Sequence, residues 1–222
     1  MFLPQTRRMS EYNDDASYQL YLLLDGFSRL GPPTPEVVER LLKEGADPDA
    51  NIDARFAHRQ HEEEDGSTDG CTGAPCVCSL SSTPLVAAAI SFPDCVAPLL
   101  AGGANPCAIP YEAGDPYAMS PLDCAVQTCT TADVLRMLEL GADPNFVGEY
   151  GTPLHVAAGS VEGDIPDRRA KVEALLSYGA DAARIDADDC PADMADLVRG
   201  AQFRQAWERR RAGRLTKSAA RR

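Results

Sequence analysis

The chain is poor in the signals that announce most chemistries. It has one tryptophan, three histidines and only three lysines among 21 basic residues. No run of about 18 apolar residues occurs, so no helical membrane span is expected. Its opening residues, Met1-Phe2-Leu3-Pro4-Gln5-Thr6-Arg7-Arg8, lack the apolar core of a secretory signal. The expected compartment is therefore the cytoplasm, with the nucleus as the alternative, and the eight cysteines are read as reduced thiols. No Gly-rich loop leads into Gly-Lys, which excludes a P-loop. His58-Arg59-Gln60-His61-Glu62 does not follow the His-Glu-x-x-His order of metalloproteases. No Ser or Cys stands in a recognisable nucleophile context, so the chain is not expected to be an enzyme. A net charge of −13 argues against general nucleic-acid binding.

What the sequence does have is repetition. Gly45-Ala46-Asp47-Pro48, Gly103-Ala104-Asn105-Pro106, Gly141-Ala142-Asp143-Pro144 and Gly179-Ala180-Asp181 each follow a Leu- or Val-rich run. The last three glycines stand 38 residues apart, whereas the first gap is 58. Gly ends a helix because it alone takes the left-handed cap cheaply. A second phrase precedes the later stops: Thr83-Pro84-Leu85, Ser120-Pro121-Leu122, Thr152-Pro153-Leu154-His155 and a degraded Cys190-Pro191-Ala192. Thr or Ser caps a helix start, and Pro fits the first helical position, where its missing N–H costs nothing. The Ala runs that follow let two helices approach closely. A helix stop recurring at this period means stacked helix pairs in place of one globular core.

The Thr-Pro-Leu-His-x-Ala-Ala opening at Thr152 to Ala158, with the Leu-Leu-x-x-Gly-Ala-Asp ending at Leu175 to Asp181, resembles the ankyrin repeat. The resemblance covers roughly residues 15–210. It implies an all-α ankyrin-repeat solenoid of about five helix-turn-helix units, including N- and C-terminal caps, with an elongated first finger loop. The expected organisation is a flexible N-terminus at 1–14, then a repeat domain over 15–211. Its units fall at about 15–50, 83–109, 120–147, 152–185 and 190–211, and a basic tail occupies 212–222. The final unit reads as two helices, Pro191–Arg199 and Ala201–Arg211, with residues 213–222 disordered. Leu154 and Leu175 are expected in the core, and Cys95, Cys124 and Cys129 as small buried apolar groups. By resemblance, His155 joins a hydrogen-bond network with the repeat threonine and the neighbouring unit.

The connections between units are uneven. The distances from stop glycine to next start are 38, 17, 11 and 11 residues, so the loop 51–82 carries a long insertion. Within it, His58, His61, Cys71, Cys76 and Cys78 gather zinc's preferred ligand types in 21 residues. The spacing lacks a paired Cys-x2-Cys knuckle. The loop is read either as an acidic segment with free thiols, needing no cofactor, or as a zinc site, in which case a metal-dependent or enzymatic module becomes the alternative function. Ankyrin relatives bind partners through finger tips and the inner faces of their first helices. That resemblance nominates Tyr111, Glu112, Asp115, Tyr117, Glu149 and Tyr150 as contacts for another protein with a basic or amphipathic surface. Phe146, nearest a helix stop, is read as packing on its neighbour. The implied function is that of a scaffold, adaptor or inhibitor. The basic stretch from Arg209 to Arg222 offers a further reading, nuclear import or nucleic-acid contact through the tail alone.

Overall fold

The computed structural model describes residues 14–24, 32–50, 83–108, 119–148, 150–159, 165 and 167–219. Among them the structure is all-helical. The helices are α1 (Asp14–Leu24), α2 (Pro35–Lys43), α3 (Pro84–Ser91), α4 (Val96–Ala101), α5 (Pro121–Thr128), α6 (Thr131–Glu139), α7 (Pro153–Ala158), α8 (Arg168–Ser177) and α9 (Ala192–Ala219). Short 3-10 turns at Pro93–Cys95, Ala182–Arg184 and Ala187–Asp189 connect some of them. No helix among the described residues is long and apolar enough to cross a membrane.

Local chemistry sets where these helices begin. Proline stands in the first turn of α2, α3, α5 and α7. Ahead of three of them, the hydroxyls of Thr83, Ser120 and Thr152 accept the backbone N–H groups of Val86, Asp123 and His155. In α5 and α7 the bond is reciprocated. The Asp123 carboxylate accepts the Ser120 N–H at 3.0 Å, and His155 Nδ1 accepts the Thr152 N–H at 3.1 Å, completing capping boxes. Thr130 and Asp133 build a third box at the start of α6.

The four helix stops are structural copies of one another. Gly45, Gly103, Gly141 and Gly179 have φ of 96°, 96°, 98° and 94°. The following alanine N–H reaches back to the carbonyl of Leu41, Leu99, Met137 or Leu175, at 3.0 Å in all four cases. This six-to-one bond together with a left-handed glycine is the Schellman stop. It turns the chain out of α2, α4, α6 and α8 in the same direction each time. The four alanines, Ala46, Ala104, Ala142 and Ala180, are buried.

Packing joins these hairpins into two layers. The first-layer helices touch in the order α1, α3, α5, α7, α9, and the second-layer helices in the order α2, α4, α6, α8. Within each hairpin α1 packs on α2, α3 on α4, α5 on α6, and α7 on α8. The first layer is lined with small groups, Ala88, Ala89, Ala125, Ala157 and Ala158, all buried. Side chains this short let helix axes come close. Leucines fill the junction with the second layer, and Leu85, Leu99, Leu122, Leu154 and Leu175 are inaccessible to solvent. Cys95, Cys124 and Cys129 are buried among them as expected.

Two boundaries differ from the sequence expectation. Helix α1 begins at Asp14, inside the segment 1–14 expected to be flexible. The final unit is one continuous helix of 28 residues, not two helices, and it runs on through Ala219 where disorder was expected. Gly200 lies inside it. An interior glycine costs about 1 kcal/mol of helix propensity relative to alanine, too little to break a helix anchored on both sides. Here Met194, Ala195 and Val198 before it, and Ala201 after it, are all buried.

Candidate binding surface

After each stop the chain makes the same small turn. The side-chain oxygen of Asp47, Asn105, Asp143 or Asp181 accepts the backbone N–H two residues on, from Asp49, Cys107, Asn145 or Ala183, at 2.8–3.1 Å. This Asx turn places the residue at the +2 position against the next unit. Asp49 Oδ1 accepts the Asn105 N–H at 2.7 Å. Asn145 Oδ1 accepts the Asp181 N–H at 2.8 Å, while its Nδ2 donates to the Gly179 carbonyl at 3.0 Å. Between those two, Cys107 Sγ donates to the Gly141 carbonyl at 3.1 Å. Three successive junctions are therefore tied at one equivalent position, and the turns form a single row.

Out of this row one hairpin tip is described nearly in full. Gly148 and Gly151 exchange backbone hydrogen bonds at 2.9 and 3.2 Å. Gly151 has φ of 90°, and a Cβ placed there would lie 2.9 Å from the His155 ring. Only glycine meets both demands. The ring is itself fixed by the Thr152 capping box, so the tip is fastened to the start of α7. Val147 and Tyr150 flank this fastening and are exposed, Tyr150 by 55%. A tethered pair of exposed apolar groups supplies contact area at small entropic cost. Ile90 is likewise exposed, at the end of α3 in the first layer.

Behind this surface lie polar groups that hold the layers in register. Thr128 Oγ1, at the end of α5, donates to the Ala89 carbonyl of α3. Lys171, on α8, is fully buried and donates to the Val126 carbonyl of α5 at 2.9 Å. In an uninterrupted helix that carbonyl would receive the Thr130 N–H, which instead donates to Asp133. The ammonium thus supplies the missing donor at a helix C-terminus, where positive charge is also favoured. Burial pushes the Lys171 pKa down, partly opposed by Cys129, Asp167 and Asp133.

Asp123 is 3% exposed, and among the described residues its Oδ1 has no hydrogen-bond partner. Burial pushes its pKa up to about 6, against the lowering effect of the two Ser120 bonds to Oδ2. Burial also raises the thiols, Cys95 to about 11 and Cys124 to about 12. Both remain protonated at neutral pH, and a thiol in that state is a poor nucleophile and a poor metal ligand.

Of the residues nominated from sequence, Tyr150 stands exposed on the hairpin tip. Tyr111, Glu112, Asp115, Tyr117 and Glu149 lie outside the described residues, as do His58, His61, Cys71, Cys76 and Cys78 of the long loop. Among the described residues no group of three or more His, Cys, Asp or Glu side chains is placed to hold a metal ion. His155 meets its Thr152 expectation through the capping box. Phe146 is half-buried. Sequence reasoning passed over Val147 and Ile90, and it passed over Phe203 and Trp207 on α9, which are 75% and 54% exposed. The pairing of the chain's one tryptophan with a phenylalanine four residues earlier was the available signal for the last two. No protein-family model matches this chain, and no curated protein sequence matches it.

Proposed function

We propose that the chain is an ankyrin-type repeat solenoid that works as a protein-binding scaffold, adaptor or inhibitor, not as an enzyme. The observation that carries this reading is the fourfold recurrence of one helix stop and one Asx turn, with successive turns bonded to each other. Such a row presents the stop-and-turn segments of consecutive units along one edge, with those backbones held by hydrogen bonds. A partner docking there is met by a surface that loses little further freedom. Val147 and Tyr150 at the fastened tip and Ile90 at the end of α3 are the apolar contacts. The acidic balance of the chain, −13 overall, favours a partner with a basic or amphipathic face and steers its approach. The loop residues Tyr111, Glu112, Asp115, Tyr117 and Glu149 extend the same set by their position in the repeat.

The test is an affinity capture from native cell extract with the full chain and with Tyr150→Ala and Tyr117→Ala variants. Retained helical circular dichroism would establish that each variant is folded. A captured protein that rebinds in purified form and is weakened about tenfold or more by these changes supports the reading. Equal capture by parent and variants contradicts it.

A further inference from the structure

The outward face of α9 is built unlike the end of a sealed stack. Its inward face is defined by Met194, Ala195, Val198 and Ala201, all buried. Beyond them Gln202 Nε2 donates to the Ala182 and Ile185 carbonyls. Gln205 Nε2 donates to the Ala180 carbonyl, and its Oε1 accepts the Ala182 N–H. With 3.6 residues per turn, Phe203 and Trp207 fall on the opposite side of the helix, one turn apart. Phe203 is 75% exposed and Trp207 54%. The Arg211 guanidinium lies over the Trp207 ring, 5.4 Å from its centre.

Only two of the arginines on this helix are paired with the protein's own acids in the described residues. Arg199 pairs with Asp188 and Asp196, and Arg209 with Asp181. Among the described residues Arg204, Arg210 and Arg211 have no acidic partner. Arg204 also lines a groove of about 510 Å³ with Leu176, Gly179, Arg209 and the acids Asp181 and Glu208. Tryptophan and arginine are the residues most enriched where binding energy concentrates, and an indole under a guanidinium is already held in place.

We propose that the Phe203–Trp207–Arg211 face of α9 is a docking site for an acidic amphipathic helix of a partner protein. Apolar side chains of that helix would cover the two rings, and its carboxylates would meet Arg204, Arg210 and Arg211. A second copy of α9 does not fit, because it would set arginine against arginine. A broad polyanion, such as an anionic bilayer or a nucleic-acid duplex, would press its charge on a chain whose net charge is −13. A single helix can follow the basic stripe and avoid the acidic remainder.

The full chain carries its own reporter, since Trp207 is the only tryptophan. Its fluorescence would be followed while titrating a synthetic Leu/Glu amphipathic helical peptide. Parallel titrations would use phosphatidylserine–phosphatidylcholine vesicles and a duplex DNA oligonucleotide, with sedimentation of the chain alone. The expected result is a saturable blue shift with the peptide that weakens as salt rises. Phe203→Ala and Arg204→Glu, both confirmed helical by circular dichroism, should each weaken it about tenfold. No shift with the peptide, a shift with vesicles or DNA alone, or self-association that buries Trp207 would overturn the proposal. The signal comes from α9, an element separate from the hairpin tip, so its failure leaves the scaffold reading standing.

Discussion

Asn145 makes two hydrogen bonds to the next unit, accepting the Asp181 N–H and donating to the Gly179 carbonyl. The equivalent residue one unit earlier is Cys107, whose thiol donates to Gly141 and has no carbonyl oxygen to offer Asp143. Cys107→Asn should restore the two-bond junction and stabilise the protein by about 1 kcal/mol. Asn145→Ala should cost about 1–2 kcal/mol. Denaturant unfolding of both variants checks this, and a destabilised Cys107→Asn would show that the junctions are not equivalent.

Asp123 makes stability depend on pH in a definite direction. Its folded pKa, about 6, lies above the ordinary 3.8, so the native state holds this proton more tightly than the unfolded chain. Below pH 3.8 both states are protonated and the site is neutral. Between 3.8 and about 6 the unfolded chain releases the proton first, and stability falls as pH rises. A shift of this size corresponds to a loss of about 3 kcal/mol. Asp123→Asn keeps the shape without the charge, so it should gain on the parent by roughly that amount between pH 3.5 and pH 7.5. Unfolding curves at the two pH values measure the difference. A gap that stays constant would show that the buried carboxylate is solvated.

Gly151 and Gly179 separate two costs of the left-handed backbone. Both have positive φ, but an added methyl at Gly179 meets open space, whereas at Gly151 it would sit 2.9 Å from His155. Gly179→Ala should cost about 1–2 kcal/mol, the backbone term alone. Gly151→Ala should cost more than that and release His155 from Thr152, detectable by NMR of the imidazole. Equal costs would mean that the hairpin tip is not fastened to α7.

Lys171 can be dissected by replacing it with two apolar residues of different size. Lys171→Met keeps most of the volume and orphans only the Val126 carbonyl, for a cost of about 1–3 kcal/mol. Lys171→Ala adds a cavity and should cost about 2–5 kcal/mol. Thermal unfolding of the two variants orders them. A Lys171→Ala variant as stable as the parent would remove the ammonium from its place at the end of α5.

Helix starts and stops were legible in the sequence because capping is local chemistry. Thr or Ser before Pro-Leu, and Gly before Ala, each satisfy backbone groups within a few residues, and no distant contact is needed. The layer order follows from the same repetition. Contacts between units were not legible. That Lys171 would complete the end of α5, 45 residues away in sequence, follows from stacking and not from any local pattern. The burial of Asp123 is of the same kind. It occupies the position that His155 holds in the later unit, and sequence does not reveal that its second oxygen finds no partner among the described residues. The C-terminal unit was read as two helices on either side of Gly200, whereas buried side chains on both sides of that glycine keep it one helix. Its exposed rings escaped notice because local pattern does not show which face of the last helix is left uncovered by a neighbour.

The reading as a whole depends on each helix pair being stabilised by its immediate neighbours. Leu154, on α7, is buried and belongs to one pair. Leu154→Ala should cost about 2–5 kcal/mol. Amide hydrogen exchange on this variant tests the claim most directly. The account predicts protection lost most in α7 and α8, less in α5, α6 and α9, and least in α1 and α2, as expected of nearest-neighbour coupling. An equal loss of protection in every helix would contradict it, because that is the response of one indivisible core.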